Sequence, residues 1–82
     1  MISFGIVEVD VHGMNEWQAR VAVDSALRRA NSAVYRIRVI HGHNHSTVLR
    51  DMIHYQYANH PKVKRLQPGS NPGQTELVLR EI

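Results

Sequence analysis

Two stretches of the chain carry side chains suited to proton transfer. Asp10 and His12 lie two positions apart in the run VDVHGM, and His41, His43 and His45 alternate in the run VIHGHNHSTV. Imidazole titrates near neutral pH, so two histidines can serve as general base and general acid in a reaction that transfers protons. We predict His12 and His41 as the acid–base pair, with Asp10 orienting one ring.

Each of these residues also has a plainer interpretation. His12 could hydrogen-bond nearby backbone and fix a turn, and Asp10 could cap that turn or the following helix. Histidines at alternate positions of a strand point the same way, which suits a metal site at His41, His43 and His45. A loop that runs into a helix would break this alternation. We therefore predict no metal ligands and no cofactor, with a divalent metal at this loop as the alternative.

The hydrophobic pattern predicts the elements that position these residues. Residues 6–11 alternate apolar and acidic side chains, as a half-buried strand does, and residues 34–40 form a second strand. Between them lies a helix, with Asn15 as its N-cap and Gln18 completing a capping box. A helix between two strands makes a βαβ unit, so the strands should be parallel and the crossover right-handed.

The rest of the chain predicts one more helix and a hairpin. The helix begins at Ser46 or Thr47 and ends by Asn59, because Pro61 disfavours helical geometry in the residue before it. Residues 63–66 and 75–82 form strands joined by the turn-rich run QPGSNPGQ. The predicted order is βαβαββ, an α/β domain built as an α+β two-layer sandwich, with two helices on a mixed four-stranded sheet.

Parallel strands would bring the two groups of residues together. Their C-terminal ends share one edge of the sheet, and each loop there runs into a helix N-terminus, which favours phosphate. Loop residues predicted to contact phosphate are Gly13, Gly42, His43, Asn44, Ser46 and Thr47. Basic residues predicted either to track a phosphate backbone or to serve solubility alone are Arg36, Arg38, Arg50, Lys62, Lys64 and Arg65.

The composition indicates an ordinary soluble globular chain. Residues 1–82 should make one domain, with 43% hydrophobic and 21% charged residues. The formal net charge of +3 slightly favours a polyanion partner. Without cysteine there are no disulfides and no thiolate metal sites. No run is apolar enough for a membrane span or a leader, so we expect a cytoplasmic protein with no membrane partner.

Several motifs together resemble the small MutS-related (Smr) domain family. VDVHGM resembles the family's Leu-Asp-x-His-Gly motif at the start of a helix, RVIHG ends a later strand, NHP precedes a valine-containing strand, and GQTELVL matches the closing strand. The resemblance covers residues 7–79 and identifies a divergent stand-alone member. Residue by residue, Asp10, His12 and Gly13 match the first motif, and His41 and Gly42 match the start of the second.

The resemblance implies a nucleic-acid-binding module that in some members nicks DNA or cleaves RNA. Its fold would be similar to the C-terminal domain of translation initiation factor three. The family's second motif continues roughly as His-Gly-Lys-Gly-x-Gly, whereas His43, Asn44, His45 and Ser46 follow Gly42 here. Glycines at those positions let the backbone approach phosphate closely, so the substitutions leave endonuclease activity an open question.

Three functions stay open from the sequence. The first is a nucleic-acid-binding domain with endonuclease activity on DNA or RNA. The second is a non-catalytic adaptor for structured RNA, a ribosome or a repair protein, and the third is a domain that binds metal through its histidine loop. Trp17 either stacks on a base or packs the first helix against the sheet edge, and His54 and His60 are expected at the surface or in caps.

Overall fold

The computed structural model describes residues 2–3, 5–42 and 47–81, which form a sheet with two helices. The strands are β1 (Ile2–Ser3), β2 (Ile6–Asp10), β3 (Arg36–Ile40), β4 (Arg65–Pro68) and β5 (Gln74–Val78). The helices are α1 (Glu16–Arg29) and α2 (Val48–Tyr57). Strands follow the order β1-β2-β3-β5-β4, in which β2 and β3 are parallel and the other neighbouring pairs are antiparallel.

The predicted α/β fold with its βαβαββ order is confirmed, with one addition. The four predicted strands correspond to β2, β3, β4 and β5, and the short strand β1 extends the sheet beyond β2. Strand β4 begins at Arg65, which pairs with Val78, rather than at residue 63. In the described part of the chain, neither helix has the length and apolar character needed to cross a membrane.

One face of the sheet and the two helices enclose the core. The strand residues alternate, so that every second side chain meets the apolar stripe of a helix. Buried core residues from the strands include Ile37, Val39 and Leu77, and those from the helices are Ala19, Val23, Leu27, Met52, Ile53 and Tyr57. Each large apolar side chain buried in this way stabilises the fold by about 1.5–3 kcal/mol relative to an exposed one.

The start of α1 is fixed by the predicted capping box. The Gln18 amide donates to Oδ1 of Asn15 over 2.8 Å, and the Asn15 amide donates to Oε1 of Gln18 over 3.0 Å. Helix α2 follows Thr47, whose hydroxyl donates to Asp51 over 2.9 Å instead of capping a backbone amide. The other predicted cap, Ser46, lies outside the described residues.

The last residue of α2 joins that helix to the middle of α1. The hydroxyl of Tyr57 in α2 donates to Oδ1 of Asp24 in α1 over 2.6 Å. Burial raises the pKa of the Tyr57 hydroxyl above its usual range, and the hydrogen bond to the carboxylate adds to this effect. The phenol therefore stays neutral and holds α2 against α1.

The sheet face opposite the helices carries a row of ion pairs. Arg38 on β3 donates from Nη1 to Glu8 and from Nε to Glu76, each over 3.0 Å. Gln67 donates to the other oxygen of Glu76 over 2.8 Å, and Nη1 of Arg36 lies 3.3 Å from that oxygen. The strand register aligns Glu8, Arg38 and Glu76 across β2, β3 and β5. Arg36 and Arg38 are thus compensated by carboxylates, which supports a role in the sheet rather than on a phosphate backbone.

Replacing the buried carboxylate of this row should destabilise the domain more than replacing the exposed one. We expect Glu76→Gln to lower the free energy of unfolding by about 2–3 kcal/mol, because two arginines lose their shared partner. Glu8→Gln is the matched control, since its exposed pair with Arg38 should contribute less than about 1 kcal/mol. Urea unfolding at neutral pH measures both values, and equal losses would contradict this assignment.

Candidate functional site

The C-terminal ends of β2 and β3 lie side by side. Parallel pairing sets Asp10 beside Ile40, and the ladder continues as the Val11 amide donates to the Ile40 carbonyl over 2.9 Å. The two following loops then lie close together, because a Cβ added at Gly42 would lie 3.7 Å from Cβ of His12. The structure therefore brings the two strand ends together, as the predicted βαβ unit required.

Asp10 and His12 form a hydrogen-bonded pair at this edge. Nδ1 of His12 lies 2.5 Å from Oδ1 of Asp10, and the His12 amide donates to the same oxygen over 3.2 Å. A carboxylate can only accept, so Nδ1 carries a proton and Nε2 of the neutral ring is an acceptor. The side chains of His12 and Asp10 are 68% and 52% exposed, so a substrate can reach the pair.

The hydrogen bond from His12 also stabilises the charged form of its partner. It is the main reason that the pKa of the Asp10 carboxyl lies below its usual value of 3.8. Asp10 is therefore a carboxylate at neutral pH. The pair combines a fixed negative charge with an imidazole of defined tautomer, which is the arrangement that orients a general base.

Gly13 forms the turn between His12 and α1. Its φ of 81° lies in the left-handed region, which glycine adopts without strain, and the Met14 amide closes the turn by donating to the Val11 carbonyl over 3.1 Å. A Cβ added at Gly13 would meet nothing within 4 Å, so the space beside this turn is open. Helix α1 begins three residues after Gly13, at Glu16, and its dipole favours an anion near its N-terminus.

His41 has the opposite environment from His12, because it is only 5% exposed. Its Nδ1 lies 2.8 Å from the Gly42 carbonyl and its Nε2 lies 2.9 Å from Oγ1 of Thr75. The carbonyl only accepts, so Nδ1 donates, and in a neutral ring Nε2 would then accept from the Thr75 hydroxyl. A substrate would have to displace these bonds to exchange a proton with His41. Its predicted acid–base role stays a prediction, and its contacts are those of a residue that holds the Gly42 loop.

Thr75 links His41 to a third histidine. The Thr75 side chain is buried on β5, and its Oγ1 also lies 3.3 Å from Nε2 of His54 on α2. If the hydroxyl donates to a neutral His41, His54 must be the donor to Thr75. The sequence interpretation missed Thr75. The sequence does contain a signal for it. In TELVL, Thr75 alternates with Leu77 and Leu79, so it is a polar residue on the apolar face of the strand.

A cleft of about 580 Å³ opens beside this network, between α2 and the hairpin of β4 and β5. Its walls include Leu66, Pro68 and Pro72, with Arg50 and His54 contributed by α2. This volume falls within the usual range for small-molecule sites of roughly 300–1,000 Å³. We call the group formed by Asp10, His12 and His41 at the ends of β2 and β3 the strand-end site. The cleft is a concave surface on the α2 side of this site.

Three of the predicted basic residues lie at the opposite edge of the sheet. Arg65 is the first residue of β4 and lies level with Arg36, the first residue of β3. This end of the sheet is remote from His12, which follows the other end of β2. Nζ of Lys62 donates to the Leu27 carbonyl near the C-terminus of α1 over 2.7 Å, so this ammonium caps a helix. The structure therefore does not bring Lys62, Lys64 and Arg65 to the strand-end site.

Thr47 and Arg50 remain at the strand-end edge, at the start of α2. The Thr47 hydroxyl donates to Asp51 over 2.9 Å, and Nη2 of Arg50 lies 3.3 Å from the same carboxylate. The bond from Thr47, followed by those from Arg50, holds the pKa of the Asp51 carboxyl below its usual range. Arg50 is half-exposed and can contact an anion at this edge, although Asp51 offsets part of its charge.

The remaining loop predictions fall on residues that the structure does not describe. These are the predicted phosphate contacts His43, Asn44 and Ser46, and also His45 of the alternative metal site. Within residues 2–3, 5–42 and 47–81, no cluster of three or more histidine, cysteine, aspartate or glutamate residues could hold a metal ion.

Comparisons with known proteins relate this geometry to one family. The family model for the Smr domain matches residues 9–75, a range that contains Asp10, His12, His41 and Thr75. The chain is similar to the crystal structure of the Smr domain of Thermus thermophilus MutS2, with a TM-score of 0.79 and 27% sequence identity over 92% of this chain and 99% of that one. No curated protein matches the chain.

The Asp10–His12 pair predicts a specific pH response. The Asp10 carboxyl should titrate below 3.8, and in His12→Ala its midpoint should move back towards that value. Because the folded pKa is lower than the unfolded one, the pair stabilises the fold at neutral pH, and this contribution is lost as the pH falls through the folded pKa. Carboxyl NMR titration measures the midpoints. Asp51 is the internal control, since His12 does not contribute to its lowered pKa.

The buried network predicts a second effect. Thr75→Val keeps the shape of the side chain but removes the hydroxyl bonded to His41, so we expect a loss of about 1–3 kcal/mol in unfolding free energy. Thr75→Ser keeps the hydroxyl and should leave the ring-nitrogen NMR shifts of His41 and His54 near those of the wild type. Unchanged shifts in Thr75→Val would show that the hydroxyl does not order the two rings.

Proposed function

The chain belongs to the Smr domain family, and we propose that it binds single-stranded nucleic acid at the C-terminal edge of β2 and β3 and cleaves a phosphodiester bond there. Smr domains are generally associated with nucleic acids. The observation that supports this proposal is the exposed Asp10–His12 pair, bonded over 2.5 Å and placed beside an open turn and a helix N-terminus.

The geometry suits a general base more than a nucleophile. Nε2 of His12 would accept the proton of the 2′-hydroxyl as the 2′-oxygen attacks phosphorus, forming a cyclic phosphate. The departing 5′-oxygen would take a proton from solvent. Asp10 would keep the ring in the productive tautomer and stabilise the imidazolium that forms. This reaction needs a 2′-hydroxyl, so within the family's range of substrates we propose RNA.

The groups around the pair would hold the phosphate. The open space at Gly13 lets a phosphate approach the backbone, and the N-terminus of α1 favours its negative charge. Arg50, in the first turn of α2, is the member of the predicted basic set whose helix begins at this edge of the sheet. His41 would act as a positioning residue, because its bond to the Gly42 carbonyl fixes the loop that lies close to His12.

One observation favours a second candidate, a non-catalytic RNA or ribosome adaptor. The predicted second catalytic imidazole, His41, is buried and hydrogen-bonded through both ring nitrogens. An adaptor would use the same edge for binding and would need no proton transfer.

Cleavage assays separate the two candidates. We expect the protein to cut end-labelled single-stranded RNA in the presence of a chelator, and His12→Ala to slow this cleavage by about 10²–10⁴-fold, the usual contribution of a general base. Asp10→Asn should give a similar loss, because the amide no longer selects the tautomer. Glu8→Gln is the matched control, because Glu8 lies on the same strand but its carboxylate belongs to the ion-pair row.

Each result assigns the function differently. Cleavage that is unchanged in His12→Ala would contradict the catalytic assignment. Salt-sensitive binding without cleavage by the wild type would select the adaptor. Cleavage that disappears with the chelator would transfer the chemistry to a metal ion, and a supercoiled plasmid assayed in parallel would reveal DNA nicking.

A further inference from the structure

We propose that Trp17 is a stacking platform for the nucleobase next to the phosphate at Asp10 and His12. This inference rests on the proposed nucleic-acid function and names a contact that would give the site its preference for unpaired strands. Trp17 is the single tryptophan of the chain, and its side chain is 70% exposed to solvent.

The fold does not account for this indole. Helix α1 packs on the sheet through Ala19, Val23 and Leu27, and Trp17 lies on the other side of the helix. The alternative prediction that Trp17 packs the helix against the sheet edge is therefore wrong. An exposed tryptophan leaves a large apolar surface in water, which a bound partner would remove.

The position of Trp17 connects it to the candidate site. It is in the first turn of α1, directly after the loop that carries His12 and Gly13. The reciprocal bonds between Asn15 and Gln18 fix the backbone of this turn, so the backbone of Trp17 follows the His12 loop in an ordered conformation. Binding there would cost little backbone entropy, because the turn is already ordered.

The chemistry around the indole fits a nucleobase better than an apolar protein surface. Met14 and Val21 are the other exposed apolar residues near it, and both are only partly accessible. Glu16 and Arg20, one residue before and three residues after Trp17, are charged and exposed, so the apolar area is a small patch within a polar surface. A single aromatic plane beside a phosphate site matches one base and its phosphate, and stacking accepts any base.

The lone tryptophan makes a direct test available. The probe is a 2′-O-methyl oligouridylate, which lacks the nucleophilic hydroxyl, compared with an abasic strand that has the same number of phosphates. We expect the base-bearing strand to quench Trp17 fluorescence and to bind about 10-fold more tightly than the abasic strand, as one base stack would give. Trp17→Ala should bind both strands equally, at the wild-type affinity for the abasic strand, and Trp17→Phe should restore part of the difference.

A matched control comes from the second helix. Tyr55 is an aromatic residue with 84% exposure on α2, well beyond the first turn that faces the site. Tyr55→Ala should keep the wild-type preference for bases. Circular dichroism of Trp17→Ala should show unchanged helix content, because the side chain is outside the core.

The outcomes distinguish the inference from the function on which it rests. Full preference for the base-bearing strand in Trp17→Ala would overturn the stacking role while leaving nucleic-acid binding intact. If neither strand binds the wild type at low salt, the proposed function itself fails. If sedimentation shows a wild-type dimer that Trp17→Ala and Val21→Ala both dissociate, the patch is a self-association surface and the inference is overturned.

Discussion

The parallel pairing of β2 with β3 is the interaction on which the candidate site depends. Its register sets Asp10 level with Ile40, and one further bond, from the Val11 amide to the Ile40 carbonyl, brings the two loops close together at His12 and Gly42. A shift of one residue would turn the side chains of the moved strand to the other face of the sheet. The core residues and the site are thus held by the same ladder, so loss of one would disrupt the other.

Burial gives the two histidines of the site different chemistry. His12 follows β2 into an open turn and is exposed, with Asp10 as its partner. His41 follows β3, which has a neighbour on each side, and β5 covers it through Thr75. An imidazole between a carbonyl and a hydroxyl is well suited to holding a loop, whereas an imidazole with one nitrogen towards solvent is suited to proton transfer. Under the proposed function, positioning and proton transfer would therefore fall to two different residues of the same type.

Local pairing determines which of the basic side chains are available at the strand ends. The formal excess of +3 is distributed over distant places, since Arg36 and Arg38 serve the ion-pair row and Lys62 caps α1. Among the described residues, the features left near the strand ends include the N-terminus of α1, Arg50 and the exposed indole of Trp17. Under the proposed function, these features would favour short contact with one or two nucleotides over broad attraction to a duplex.

The sequence by itself determined the local structure and the family. Alternation along β2 and β3, the capping box of α1 and the turn-rich hairpin are each dictated by neighbours within a few residues, and the VDVHGM and RVIHG motifs pointed to the Smr family, whose model matches residues 9–75.

Only the tertiary structure decided which side chains are accessible and which charges are free. The burial of His41 depends on Thr75, and the separation of Lys62 from His12 depends on the strand order. The exposure of Trp17 depends on which face of α1 meets the sheet. The first two outcomes come from contacts between residues far apart in the chain, about which the periodicity of a single segment carries no information. For Trp17, the spacing of Ala19, Val23 and Leu27 marks the apolar face of α1, and the packing of that face on the sheet leaves the indole exposed.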